Sequence, residues 1–322
     1  MNIIPGTKDV YKLTLPTPFA VGDVNLYLIK DDSLTLIDAG VKTKEAWQQF
    51  TKQLAALHID PYEIDQVILT HHHPDHVGLL DYLGENTAIV GHPYNQPWIS
   101  KDPVFLSKHD AFFNRLFIES GIDSAYLNYV PTLRRSLRYS CTRSLTTEIH
   151  AGSSLPGLPE WEVIETPGHA QSHLVLYRER DGLLIGGDIL LATISSNPLI
   201  EPPQAGQVER PKPQLQYNQS LRKLLTLDIS RIVTGHGEDI TDVHQLVTTR
   251  LERQRERAYS VLDLLKNRRM TAFDLCKKLF PTAYQKELGL TMSETIGQLD
   301  FLLELGEIKV DTSNQSFLYS SN

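Results

Sequence analysis

Six consecutive residues, His71-His72-His73-Pro74-Asp75-His76, follow the apolar run Gln66-Val67-Ile68-Leu69 after a single threonine, Thr70. Four more chemically capable residues stand far away in the chain: Asp38 in Leu-Ile-Asp-Ala-Gly, His169 in Thr-Pro-Gly-His, Asp188 in Gly-Gly-Asp-Ile-Leu and His236 in Thr-Gly-His-Gly. Each ends an expected strand or occupies a turn beside one, where a rigid sheet can hold functional loops in place. Imidazole and carboxylate are natural ligands for first-row divalent metals. His71 and His73 are two residues apart, so on an extended segment they point the same way. Pro74 turns the chain, and Asp75 and His76 beyond it can address a second ion. Two cations sharing one water would lower its pKa and yield hydroxide near neutral pH, with no Ser or Cys nucleophile. That hydroxide would attack a carbonyl or phosphorus, Asp75 orienting it or taking its proton, while a cation meets the developing oxyanion. His72 alternates away from its neighbours and is not expected to be a ligand. His173 reads equally well as a strand residue or as a substrate contact, and His58, His92, His109, His150 and His244 read as surface or structural histidines.

The elements that must position these residues follow from periodicity. Short β-runs at 25–29 and 34–38 form a hairpin, and a helix over 43–57 puts Ala46, Trp47, Phe50, Leu54 and Leu57 on one face. A strand at 66–69 precedes the histidine run, and a helix is expected from about His76 to Leu83. Further strands are expected at 88–90, 161–164, 173–177, 183–185 and 231–233, helices at about 104–120, 124–138 and 214–227, and a Pro-rich loop at 196–213. From about residue 240 the pattern is helical to Leu305, and two short strands close the chain. This mixture suggests a layered α/β sandwich.

With Thr70 and the Gly-His turns, these five motifs in this order closely resemble the metallo-β-lactamase superfamily over roughly residues 10–240. The resemblance implies a four-layer αββα sandwich. It assigns His71, His73 and His169 to one metal ion, Asp75, His76 and His236 to a second, and Asp188 to a bridge between them; Asp38 would support the site without binding metal. The implied cofactors are two divalent ions, zinc foremost, with manganese or iron as alternatives because availability often decides. Neither Cys141 nor Cys276 lies in a ligand motif, which sets aside the cysteine-liganded lactamases.

Two regions lie outside that pattern. Residues 93–143 interrupt the core as an aromatic-rich helical insertion, long enough to be a cap over the site. Arg134, Arg135 and Arg138 near its end are candidates to meet an anionic substrate group, with solvated arginines the plainer reading; the cap could instead pack against a second copy in a homodimer. The domain division is thus a catalytic unit over 1–245, carrying the cap, and a unit over 246–322. The latter orders three helices and two strands and resembles the winged-helix tail of a subgroup of lactamase-like hydrolases. Its expected recognition helix, 291–305, contains Glu294, Asp300 and Glu304 and no Lys or Arg, so specific DNA binding is not expected. Packing by Leu299, Leu302, Leu303 and Ile308 is expected instead.

Composition narrows the function further. The 322 residues are 41% hydrophobic and 22% charged, with a formal net charge of −8, which is ordinary for a globular protein and opposes a global grip on nucleic acid. Two isolated cysteines fit a reducing compartment. No secretory signal pattern opens the chain, and the longest apolar stretch, 183–194, is broken by Asp188 and too short to span a bilayer. The expectation is a cytoplasmic hydrolase, with no membrane partner, that uses a metal-bridging hydroxide on a small ester, thioester or lactone. The alternative is a metal-dependent endoribonuclease or phosphodiesterase of the winged-helix subgroup.

Overall fold

The structure is a computed structural model describing residues 2–322, apart from the side chains of Asn2, Ala125 and Leu127. The first half builds strands β1 (Asn2–Ile3), β2 (Val10–Leu15), β3 (Val24–Lys30) and β4 (Leu34–Ile37), then helix α1 (Lys44–Ala55) and strand β5 (Gln66–Ile68). Helix α2 (Pro74–Val77), strand β6 (Ala88–Gly91), helices α3 (Gln96–Ile99) and α4 (Pro103–Glu119) and strand β7 (Thr147–Glu148) follow. These strands form one seven-stranded sheet in chain order, antiparallel from β1 to β4 and parallel from β4 to β7. The second half supplies β8 (Glu162–Glu165), β9 (Leu174–Arg178), β10 (Leu183–Ile185), α5 (Pro213–Leu224) and β11 (Arg231–Val233). Its four strands are ordered β11-β10-β9-β8, with only β10 and β11 parallel.

Strand β3 shows why the sheets stack. Its residues 24–29 are all buried, and alternate side chains serve different cores. Leu26 and Leu28 meet Ala46, Phe50 and Leu54 of α1 on the outer face. Tyr27 and Ile29 point inward and join Leu174, Leu176 and Ile185 of the second sheet. On that sheet's far side, Val175 and Leu184 pack with Tyr217 and Leu221 of α5 and Val243 and Val247 of α6 (Val243–Leu265). The result is the four-layer αββα arrangement. Helix α1 has the expected apolar face and is capped by Thr43, whose hydroxyl accepts the Ala46 N–H at 3.1 Å.

The expected helix at 76–83 is a single α-turn from Pro74 to Val77 continued by a 3₁₀ turn, Gly78–Tyr82. Gly78 accounts for this, because a Cβ there would lie 2.1 Å from the Lys42 backbone nitrogen; the turn is pressed against the neighbouring chain. The expected helix at 124–138 is likewise two 3₁₀ stretches, Ser124–Thr132 and Arg135–Tyr139, with Pro131 inside the first.

The C-terminal segment contains α6, α7 (Ala272–Leu279), α8 (Leu288–Glu304) and the antiparallel pair β12 (Ile308–Asp311) and β13 (Leu318–Ser321). It shares one core with the cap: Phe112, Phe113 and Phe117 of α4 pack with Val261, Leu275 and Leu299. Leu302 and Ile308 are buried in that core and Leu303 packs against it, as expected. The carboxylates of α8 do not form an open acidic face. Glu294 and Asp300 do not face solvent but are buried, paired with Arg257 at 2.5 Å and Arg210 at 2.7 Å.

Candidate metal centre

The centre lies where the two sheets present strand ends and their following loops: Asp38 after β4, His71 to His76 after β5, His169 before β9, Asp188 after β10 and His236 after β11. Asp38 adopts φ +62°, a left-handed conformation uncommon outside glycine. Its carboxylate accepts the Thr70 N–H and the Thr70 hydroxyl, both at 2.8 Å, and meets His76 Nδ1 at 2.7 Å. With its hydroxyl proton committed to Asp38, Thr70 accepts from His71 Nδ1 at 3.0 Å. The carbonyl of Asn197 receives His169 Nδ1 at 3.0 Å, and the carbonyl of Asp23 receives His236 Nδ1 at 2.8 Å. Each of these four rings therefore carries a proton on Nδ1 and turns its Nε2 inward, the arrangement that partners behind metal-binding histidines enforce.

The inward atoms converge. His71 Nε2 and His169 Nε2 each lie 3.0 Å from His73 Nδ1. His73 can offer at most one proton to these two lone pairs, so hydrogen bonding alone does not satisfy the trio. Nitrogens bound to one zinc at ~2.0–2.1 Å and tetrahedral angles lie roughly 3.3 Å apart, close to this spacing. A second group gathers Asp75, His76 and His236, with His236 Nε2 3.3 Å from Asp75 Oδ2. Asp188 lies between them, 3.6 Å from His76, His169 and His236. His76 Nε2 and Asp188 Oδ1 are buried with no hydrogen-bond partner, a costly state unless something else satisfies them. The donor set therefore fits divalent cations.

The electrostatics agree. Burial pushes His73 down to about 3 and His71 well below the ordinary histidine value, so both rings are neutral lone-pair donors. Burial also opposes charge on His76, yet Asp38 and Asp188 outweigh it and raise His76 well above its ordinary value. His236 is raised as well, against its burial, by Asp188 and Asp75; the buried carboxylates thus draw positive charge to this point, as protons on these two rings where no cation supplies it.

All seven expected ligands, with Asp38 behind them, thus meet in one place. His72 turns away as expected, stacking on Trp98 with ring centroids 4.5 Å apart. His173 is buried beside the centre. Its Nδ1 meets Thr166 Oγ1 at 2.8 Å and its Nε2 accepts the Asp188 N–H at 3.1 Å, so its contacts hold the Asp188 turn. His92 and His109, read as surface or structural, are both buried.

A cavity of about 430 Å³ opens beside His73, between the cap, the 199–201 loop and the start of α8. Arg134 lines it, whereas Arg135 and Arg138 do not. Arg134 is held by Asp110 in a two-pronged pair at 2.6–3.2 Å, and Arg138 lies over Tyr139. Glu201, which sequence reasoning passed over, belongs to the cavity wall; it is 4% exposed and receives the Gln171 N–H at 2.7 Å. Its place in a Pro-rich loop gave no periodic or motif signal.

Comparison with known proteins agrees with this geometry. A family model described as metallo-beta-lactamase superfamily matches residues 20–236. The Bacillus subtilis protein named probable metallo-hydrolase YqjP is 48% identical over 296 residues, covering 92% of each chain. A crystal structure of a metallo-beta-lactamase family protein from Thermus thermophilus superposes with TM-score 0.81 at 26% identity, covering 98% of this chain and 99% of the other. An atrochrysone carboxyl ACP thioesterase of Aspergillus fumigatus is 25% identical over 72% of this chain and 56% of its own length.

Proposed function

Because the chain belongs to the metallo-beta-lactamase superfamily and is a metal-dependent hydrolase, we propose that its centre takes two divalent ions, zinc foremost, and cleaves a small ester, thioester or lactone. The observation that carries the two-ion reading is the convergence of two separate donor groups on Asp188. His71, His73 and His169 would hold one ion, Asp75, His76 and His236 the other, with Asp188 common to both. Bound there, such ions supply an activated water near neutral pH and positive charge for the oxyanion that builds on a reacting carbonyl. The protein's own groups do the positioning. Asp38 holds the His76 ring, the Asn197 and Asp23 carbonyls hold His169 and His236, and His173 anchors the Asp188 backbone. Asp75, at the mouth of α2, is the carboxylate placed to accept a proton from water.

The carbonyl substrate class is supported by the cavity beside His73, whose only arginine is already neutralised by Asp110. Phosphodiester backbones need unpaired cations to meet them. The thioesterase among the relatives points the same way. We read the C-terminal segment, three helices followed by two strands, as winged-helix-like, and, because its α8 is buried, as a packing element that does not bind DNA specifically. We place the enzyme in the cytoplasm; among the described residues no helix is long and apolar enough to cross a membrane.

The test combines metal analysis with a substrate panel. Reconstituted protein should hold two ions per chain and hydrolyse at least one of a set of esters, thioesters and lactones. Asp188→Ala should lower turnover by orders of magnitude while the fold persists. One ion at saturation, or wild-type turnover in the metal-loaded variant, contradicts the two-ion reading. Hydrolysis of single-stranded RNA alone would select the phosphodiesterase alternative.

A further inference from the structure

The cavity beside His73 has an unusual builder. One wall belongs to the cap and to loop residues Leu199, Ile200 and Glu201; another belongs to α8 and the residue before it, through Glu287, Gly289, Leu290 and Ser293. Ser293 Oγ accepts the Ile200 N–H at 3.3 Å, which ties α8 to this loop. The same loop reaches the metal centre, since Asn197 holds His169 and Glu201 holds the Gln171 N–H. The C-terminal segment thus touches the centre's supports through one short stretch of chain.

The lining has little charge to offer an ionic ligand. Trp98, Phe113, Leu133, Leu137 and Leu290 give it an apolar surface. His72 presents its ring stacked on Trp98 with centroids 4.5 Å apart, and burial lowers His109, leaving that ring neutral at ordinary pH. Arg134 is committed to Asp110, and Glu287 stands exposed at the rim, where it repels anions. Glu201 offers one buried oxygen, Oε2, with no well-formed hydrogen bond, a place for a single donor group of a ligand.

Resting on the hydrolase reading, we infer that this cavity receives the uncharged, apolar acyl part of the substrate, and that α8 of the C-terminal segment sets its length and charge preference. A volume of about 430 Å³ accommodates a chain of several carbons, within the ~300–1,000 Å³ usual for small-molecule sites. A group bound there lies against His73, with its scissile carbonyl directed at the centre. Leu290 is the specificity-determining residue best suited to test this, because it lines the cavity yet is 39% exposed, outside the buried core.

The experiment uses full-length, metal-loaded protein with p-nitrophenyl acetate, butyrate, octanoate and hydrogen succinate, together with calorimetric titration of octanamide and succinamate. We expect kcat/KM to rise at least tenfold from acetate to octanoate, with butyrate preferred over succinate by a similar factor. Leu290→Asp should abolish the octanoate advantage, mainly through KM, and weaken octanamide binding at least tenfold. Leu290→Trp should move the preference to shorter chains. Turnover that is flat with chain length, or a preference for succinate, overturns the inference while leaving the hydrolase reading intact. Octanamide binding that Leu290→Asp removes, in a protein that turns over no ester, supports the cavity and counts against the hydrolase reading instead. Octanamide binding unaffected by either substitution overturns the role of α8.

Discussion

At the scale of single residues, Glu201 offers the clearest coupling of burial to behaviour. Burial raises its carboxyl to about 7, against the opposing pull of the Gln171 amide and the Trp98 indole. The folded state therefore binds a proton more tightly than the unfolded chain, whose glutamate titrates near the ordinary value of ~4.3. Below that value both states are protonated and Glu201 imposes no penalty. Between there and about pH 7 the unfolded chain ionises first, so stability falls as pH rises, and above pH 7 the full penalty applies. A tenfold difference in proton affinity corresponds to ~1.4 kcal/mol, so the penalty is on the order of 2–4 kcal/mol. Glu201→Gln keeps an acceptor for Gln171 and removes the charge. It should be more stable than the wild type at pH 8 and converge with it at pH 4.5, in paired denaturant titrations where the contributions of all other groups cancel. An equal difference at both pH values would mean that Glu201 is not a buried carboxyl of raised pKa. The residues that converge at the candidate metal centre, by contrast, were legible in the sequence, because each motif pairs a histidine or aspartate with a strand end. Glu201 was not, since its burial depends on Trp98, Gln171 and α8, which are distant in the chain.

At the scale of elements, the turns after strands carry the centre, and glycine decides how closely they approach. Gly235 lies two residues beyond the end of β11, and a Cβ on it would lie 2.2 Å from Asp188 Oδ1 and 3.0 Å from His76 Cε1. Gly235 N–H also donates to the Gly187 carbonyl at 2.7 Å, which locks the two ligand turns together. Gly235→Ala should therefore leave the sheet intact but push the Asp188 carboxylate away from the space common to both donor groups. We expect metal affinity to fall at least tenfold, measured by competition with a chelator, with an unchanged far-UV spectrum. Wild-type metal retention would show that Asp188 has room the structure does not give it. The sandwich itself was readable because β3, β5, β9 and β10 are short apolar runs and α1 has a 3.6-residue period. The cap was less so. Its aromatics suggest helix over 124–138, but Pro131 and the packing of Val130 against the C-terminal core hold it in 3₁₀ turns.

For the whole molecule, the decisive feature is that packing crosses the point where the sequence texture changes. Helix α6 runs unbroken from Val243 to Leu265, anchoring Val247 in the outer layer of the sandwich and Val261 and Leu265 in the core shared with the cap. Backbone hydrogen bonds add to this, with Phe273 donating to Ser120 at 3.0 Å and Phe317 to Glu119 at 2.7 Å. Gly121 sits so close to Thr271 that a Cβ would lie 2.7 Å from its side chain. Cap and C-terminal segment thus share one core, built from long-range contacts that a periodicity reading does not contain. A chain ending at residue 245 would strand Phe112, Phe113, Phe117 and Val130, a contiguous apolar surface of the kind that promotes association. It would also remove the α8 wall of the cavity beside His73. We expect the intact protein to unfold in a single calorimetric transition whose calorimetric and van't Hoff enthalpies agree. The truncated chain should bind a hydrophobic dye strongly and aggregate, even when supplied with zinc. Two resolved transitions in the intact protein, or a monomeric truncated chain with full metal content and wild-type melting, would show that the segments fold independently and that the shared core is only a contact between finished domains.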